Sequence, residues 1–239
     1  MYPFPLNPDY VDWSIHYPKY FVNSEKQVSN MEIFCNTQQY PIQYEQIVSE
    51  KLNGRERNVD FVDVGCGFGG LLFNLGKEFP DKLSMGLEIR GKLVDYIGEK
   101  IRAFRVEQDQ CHNICVLRTN AMRHFLQYYR KNSVEKLFFG FPDPHFKAKN
   151  FRRRIINFGF LSEYAYALKK GGRLYAITDV PDLHAWHVEK ISEHSQFRVL
   201  SEKELKDDKA YKLIFNSSEE SKKVDRHNCS KYAIVAERI

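Results

Sequence analysis

With 239 residues, 43% of them hydrophobic and 28% charged, the chain has enough apolar material for one α/β domain with a full core. Its 36 Lys and Arg against 31 Asp and Glu leave a net charge of +5, a mildly basic balance that permits an anionic partner without requiring one. No apolar run approaches membrane-spanning length, no charged-then-apolar leader opens the chain, and five scattered cysteines suit a reducing compartment; membrane and disulfide-stapled classes are excluded and a soluble intracellular protein is expected.

Residues 1–30 place Pro3, Pro5, Pro8 and Pro18 among Tyr2, Phe4, Tyr10, Trp13, Tyr17, Tyr20 and Phe21. The prolines argue against a regular element and the aromatics against a solvated tail. An irregular arm over 1–30 is expected, docked on the domain or on a partner, ahead of a single domain over 31–239. A helix is predicted from Tyr40 to Lys51, before Asn53-Gly54. From Val59 strands and helices alternate. Strands are predicted at 59–64, Leu83–Glu88, Asn113–Arg118, Glu135–Phe141, Arg173–Thr178 and Lys231–Glu237. Between them, Leu93, Val94, Ile97, Ile101 and Phe104 mark one helix, and another runs from Thr119-Asn120-Ala121 through Tyr129. Phe158, Leu161, Ala165 and Leu168 mark a third that stops at Gly171-Gly172, and a fourth covers Asp182–His194. Such alternation implies a parallel sheet covered on both sides, with ligands at the carboxyl ends of its strands. Asp63, Glu88, Asn120 and Asp143 all fall at those ends.

The stretch Asp63-Val64-Gly65-Cys66-Gly67-Phe68-Gly69-Gly70 reads as strand, tight turn and helix start. Glycines are needed where a Cβ would block the turn or the approach of a ligand to the backbone. Gly65, Gly67 and Gly70 also satisfy the dinucleotide fingerprint, and Glu88 closes the next strand where an acid binds ribose hydroxyls, so NAD and S-adenosylmethionine both suit the pattern. Asp63 favours the second: a carboxylate there attracts the cationic amino acid end of S-adenosylmethionine and repels a pyrophosphate.

Phe141-Pro142-Asp143-Pro144-His145-Phe146-Lys147 follows the fourth predicted strand. Two prolines fix the backbone around Asp143, either to hold a carboxylate beside a reacting group or merely to stop the strand. The cations Lys147, Lys149, Arg152, Arg153 and Arg154 come next, suiting a phosphate backbone or a solvated helix face. Ser217 with Glu220 fits a capping box. Cys111, His112 and Cys115 have the wrong spacing for a zinc pair, and His184 with His187 lack a third ligand, so no metal site is expected.

Five ordered segments carry a resemblance: the glycine turn, Gly86-Leu87-Glu88-Ile89-Arg90, Thr119-Asn120-Ala121-Met122, Phe141 to Lys147, and Ser218-Glu219-Glu220-Ser221-Lys222-Lys223. Together they resemble the tRNA (guanine-N7-)-methyltransferase family, from about Asp12 to the C-terminus. Asp12-Trp13-Ser14 with Tyr17-Pro18 is similar to the arm of its eukaryotic catalytic subunit. The resemblance implies a Rossmann-like fold, a mostly parallel seven-stranded sheet with helices on both faces, and S-adenosylmethionine as cofactor. It implies cofactor-binding roles for Gly65, Glu88, Arg90, Asn120, Ala121, Gly140, Ser218 and Glu220, a catalytic role for Asp143, and methylation of guanine N7 in tRNA, in the variable loop. It also implies a WD40-repeat subunit as heterodimer partner and a nuclear location. Serine replaces the family's threonine at Ser218 and its glycine at Ser221. A dehydrogenase would leave Asp63 and the Pro-Asp-Pro segment without a task, and amine methyltransferases typically carry Asn/Asp-Pro-Pro-aromatic where Pro-Asp-Pro-His stands here. A non-catalytic RNA-binding subunit would not need the full set of cofactor residues.

Overall fold

A computed structural model of the chain describes residues 4–22, 28–38, 50–51 and 58–239. The N-terminal arm is docked. Asp12 caps a short helix α1 (Trp13–His16), and strand β1 (Phe21–Val22) pairs antiparallel with β2 (Glu50–Lys51). The helix predicted over Tyr40–Lys51 lies outside the described residues except for its last two, which are that strand.

The main sheet is built from β3 (Phe61–Val64), β4 (Ser84–Glu88), β5 (Ile114–Arg118), β6 (Val134–Gly140), β7 (Leu168–Thr178), β8 (Phe197–Val199) and β9 (Tyr232–Arg238). Its order is β5-β4-β3-β6-β7-β9-β8, and β9 alone runs antiparallel to its neighbours. Helices α2 (Gly70–Glu78), α3 (Gly91–Gln108), α4 (Ala121–His124), α5 (Phe158–Ala167) and α6 (Pro181–Ser192) follow successive strands. The short α7 (Glu202–Leu205), α8 (Lys209–Ile214) and α9 (Glu219–Arg226) lie between β8 and β9.

β3 and β4 are buried along their whole length, as central parallel strands covered on both faces must be. Side-chain alternation then divides the core. Val62, Val64, Met85 and Leu87 face a layer formed by Phe125, Tyr129, Tyr164 and the arm residues Trp13 and Tyr17. Phe61, Phe138 and Tyr175 point the other way, against Leu71, Leu75 and Ile214, while Ile97 and Ile101 of α3 cover Val116. Trp13, Tyr17 and Phe21 of the arm are therefore core residues of the domain: Trp13 is 2% exposed and Tyr17 fully buried, with its hydroxyl donating to the Ser84 carbonyl at 2.9 Å.

Three boundaries differ from the sequence reading. The helix expected to reach Gly171 ends at Ala167, and β7 begins at once with Leu168. The helix expected through Tyr129 is α4 plus one 3-10 turn, Phe125–Gln127. The seventh strand is Phe197–Val199, three residues too few to show a period. No described helix is long and apolar enough to cross a membrane.

The chain goes from β3 outward to β4 and β5, then returns across β3 to β6 and continues outward the other way. Strand order thus reverses between β3 and β6. Val64 lies opposite Leu87 on one side and Phe139 on the other, so Gly65, Glu88 and Gly140 end the three central strands in one row. A cleft at such a reversal is where open α/β sheets bind ligands.

Candidate active site

The cleft begins at the turn after β3. Gly65, Gly67 and Gly69 all have positive φ, +77°, +57° and +80°, a conformation that explains why the turn is glycine at alternate positions. Backbone N–H groups of Gly65 and Cys66 both donate to the Leu87 carbonyl, at 2.7 and 3.1 Å, tying the turn to β4. The Gly67 N–H donates to Glu88 Oε2 at 3.1 Å. Glu88 also accepts from the Arg90 backbone N–H at 2.9 Å and from Nε and Nη2 of its guanidinium, each at 3.1 Å. Burial raises the Glu88 carboxyl, but the Arg90 hydrogen bonds outweigh it and hold the group below its ordinary value. The same bonds raise Arg90.

Asp63 lacks such compensation. Burial first, then the charges of Glu88 and Glu220, push its carboxyl from 3.8 up to about 7. Three carboxylates therefore converge on the glycine turn, with Arg90 already engaged by one of them. A cation entering among them favours their ionised forms, whereas a pyrophosphate would oppose them. A Cβ on Gly65 or Gly140 would meet nothing within 4 Å, so both bare backbones face open space at the strand ends. The donor set and the cradle fit S-adenosylmethionine.

The cleft brings together Gly65, Gly140, Ser218 and Glu220, with Asp63 among its walls. Glu88 and Arg90 join through the Gly67 hydrogen bond. Asn120, at the end of β5, caps α4 by accepting from Met122 N at 3.0 Å, while the neighbouring Thr119 N–H donates to the Glu88 carbonyl and Ala121 is buried. The last wall comes from α9. Its cap is Ser218, which accepts from Ser221 N at 2.9 Å; Ser217, the expected cap, instead turns its carbonyl onto Gly70. Ile177 of β7 and Ile214 of α8 also line the cleft; as single apolar residues of a strand and a short helix they carry no local signal that sets them apart from ordinary core positions.

Asp143 follows three residues after Gly140. Phe141 and His145, on either side of the Pro-Asp-Pro segment, both have positive φ, +49° and +45°. Each costs about 1–3 kcal/mol in a non-glycine residue and persists only where surrounding contacts impose it. The Asp143 carboxylate is exposed and accepts from the His145 N–H at 2.9 Å. Its carboxylate oxygens are thus open to solvent, three residues beyond Gly140, which lines the cleft. Lys147, Lys149, Arg152 and Arg153 are exposed just beyond Asp143 in the chain, on the 3-10 segment Ala148–Arg153 and the residue before it. Arg154 departs from the expected surface cation: it is 4% exposed and its guanidinium packs on the rings of Phe151 and Trp186. Among the described residues no His, Cys, Asp or Glu cluster could hold a metal; His112 hydrogen-bonds Asp109 and Cys115 lies against His16.

A family model described as "Putative methyltransferase" matches residues 57–234. The chain is 40% identical over 239 residues to tRNA (guanine-N(7)-)-methyltransferase of Caenorhabditis elegans, covering 99% of this chain and 80% of the relative. It is 41% identical over 239 residues to the Zea mays protein of that name, covering 100% and 86%. Among solved structures, 16S rRNA methyltransferase KamB superimposes with a TM-score of 0.52 at 17% identity, covering 75% of this chain and 87% of that one, a likeness of fold alone. The curated relatives match from the arm to the last strand, through every segment of the cleft. The chain belongs to the tRNA (guanine-N(7)-)-methyltransferase family.

Proposed function

We propose that this S-adenosylmethionine-dependent methyltransferase methylates N7 of a guanine in the variable loop of tRNA, as the catalytic subunit beside a WD40-repeat partner in the nucleus. The observation that supports the reaction is the set of three carboxyl groups at the glycine turn, with the exposed Asp143 carboxylate three residues beyond the cleft residue Gly140. In the proposal Gly65, Glu88, Arg90, Asn120, Ala121, Gly140, Ser218 and Glu220 hold the cofactor, which supplies an electrophilic methyl group on a sulfonium. Guanine N7 offers an in-plane lone pair and carries no proton, so the protein need supply no general base. Its contribution is alignment, worth about 7–11 kcal/mol in favourable cases. Asp143 accepts hydrogen bonds from guanine N1–H and N2–H, which fixes the base in plane and enriches the ring electronically. Lys147, Lys149, Arg152 and Arg153 engage flanking phosphates, and the target base leaves its stack to reach the cleft, at a cost of a few kcal/mol. The identity of the curated relatives supports the substrate; the partner and the nucleus follow from the arm's likeness to the eukaryotic catalytic subunit.

The test is methyl transfer from labelled S-adenosylmethionine to unmodified tRNA, with and without a WD40 partner, mapped by cleavage at N7-methylguanine. Cleavage at one variable-loop guanine supports the reading, and dependence on the partner supports the heterodimer. Transfer absent under both conditions despite cofactor binding would overturn the substrate. Asp143→Ala is expected to lower kcat by roughly 10²-fold or more while cofactor affinity stays unchanged; wild-type turnover in that variant would remove Asp143 from the mechanism.

A further inference from the structure

Arg154 closes a run of cations, yet it is the one that solvent does not reach. Its guanidinium lies 3.8 Å from the Phe151 ring centroid and 4.8 Å from that of Trp186. Trp186 is itself anchored, its indole N–H donating to the Ile156 carbonyl at 2.7 Å from α6. Packed against both rings, whose centroids are 5.5 Å apart, Arg154 donates from Nε to the Pro144 carbonyl at 2.9 Å. Pro144 C=O and His145 N–H are the two ends of a single peptide group. The N–H end is the donor that holds the Asp143 carboxylate at 2.9 Å. One plane therefore connects a buried cation to the proposed catalytic acid, and the residue that follows it, His145, sits in the left-handed region that a relaxed loop would leave.

We propose that Arg154 is the positioning residue for Asp143: by gripping the carbonyl of the Pro144–His145 peptide it sets the orientation of the N–H on which the carboxylate rests. A charged donor at one end of a peptide also polarises its other end, strengthening the bond to Asp143. The planar guanidinium stacks on rings and donates sideways at once, a combination that the compact ammonium of lysine does not reproduce. The inference rests on the catalytic reading of Asp143 and moves Arg154 from the RNA surface to the support of that residue.

The test compares Arg154→Lys, Trp186→Phe, Asp143→Ala and the Asp143→Ala/Arg154→Lys double variant as full chains, with kcat normalised to cofactor-binding sites so that only folded enzyme is counted. Arg154→Lys is expected to lower kcat by roughly tenfold or more, with cofactor affinity and the KM for tRNA little changed. Trp186→Phe should give a smaller loss of the same kind. The double variant should be no slower than Asp143→Ala alone, since both act through one carboxylate. A phosphate contact behaves differently: its removal lowers the slope of log K against log salt by about one, the result expected for Lys147→Ala but not for the charge-removing Arg154→Ala. Wild-type kcat in Arg154→Lys beside an impaired Asp143→Ala would overturn this inference alone, and so would multiplicative losses or a reduced salt slope. Wild-type kcat in Asp143→Ala would overturn the reading of Asp143 and this inference with it.

Discussion

Asp63 is the residue whose protonation the cleft controls. Its carboxyl is buried and faces Glu88 and Glu220, with Cys66 beside it and Arg90 bound to Glu88. Because its folded value is raised from 3.8 to about 7, the ligand-free protein gains stability from this group at pH below 3.8 and loses it as pH rises through about 7. A cationic ligand reverses the preference by favouring the carboxylate. Affinity for S-adenosylmethionine is therefore expected to rise roughly tenfold between about pH 6 and pH 7.5, one unit of pKa being a factor of ten. That window stays below the titration of an amino acid α-amino group. Calorimetric titration at several pH values checks it, and Asp63→Asn should flatten the profile; an equally steep profile in the variant would show that another group is responsible. The glycine turn and Asp63 were legible in the sequence because their chemistry is local: three positive φ angles demand three glycines. Arg154 was not, because its burial comes from Trp186, 32 positions further along the chain, and a run of like charges carries no sign of which member turns inward.

Helix α9 shows what an element can hide in a polar stretch. Eight residues with a serine cap make a marginal helix alone, and its stability here comes from attachment. Lys231, the residue before β9, donates to the Phe215 carbonyl at 2.5 Å, to Ser221 Oγ at 2.7 Å and to Asp225 Oδ2 at 2.7 Å, and the Ser221 hydroxyl donates to the same carbonyl. The hydroxyl that stands at 221 in place of the family's usual glycine is thus tied down. At its other end α9 presses on the turn, where a Cβ on Gly70 would run into the Ser217 carbonyl and the Glu219 carboxylate. Gly70→Ala should therefore lift α9 away from the cleft, costing about 1–3 kcal/mol of stability as overpacking does and weakening cofactor binding together with it. Urea unfolding and calorimetry read the two effects separately. Lost stability with unchanged affinity would detach Ser218 and Glu220 from the cofactor site. Sequence pattern supplied the parallel strands and long helices, whose periods run over many residues, and the capping pattern marked the start of α9 to within one residue, whereas the shift of its cap to Ser218 and the three-residue β8 depended on long-range contacts.

At the scale of the molecule, one buried cation joins the arm to the sheet. Arg105 of α3 is fully buried and donates to four main-chain carbonyls: Glu32, His16 at 3.3 Å, Ile114 at 3.1 Å and Cys111 at 3.4 Å. They come from the arm, the segment after it, β5 and the turn before β5, so the guanidinium stitches together stretches that the sequence presents as separate. An aromatic arm reads equally well as a lid on its own domain or an anchor for a partner; the choice depends on where Trp13 and Tyr17 find their apolar neighbours, and they find them beneath β4 and β5. Their burial predicts that arm and sheet unfold as one unit. Trp13→Ala should cost about 3–5 kcal/mol, the range for emptying an aromatic site in a packed core, and it should shift one cooperative transition without splitting it. Denaturant unfolding followed by far-ultraviolet circular dichroism and by near-ultraviolet tyrosine signals checks both. A loss below about 1 kcal/mol, or an early transition that spares the sheet, would mean that the arm is an appendage, since a residue that shares the core has no separate transition to show.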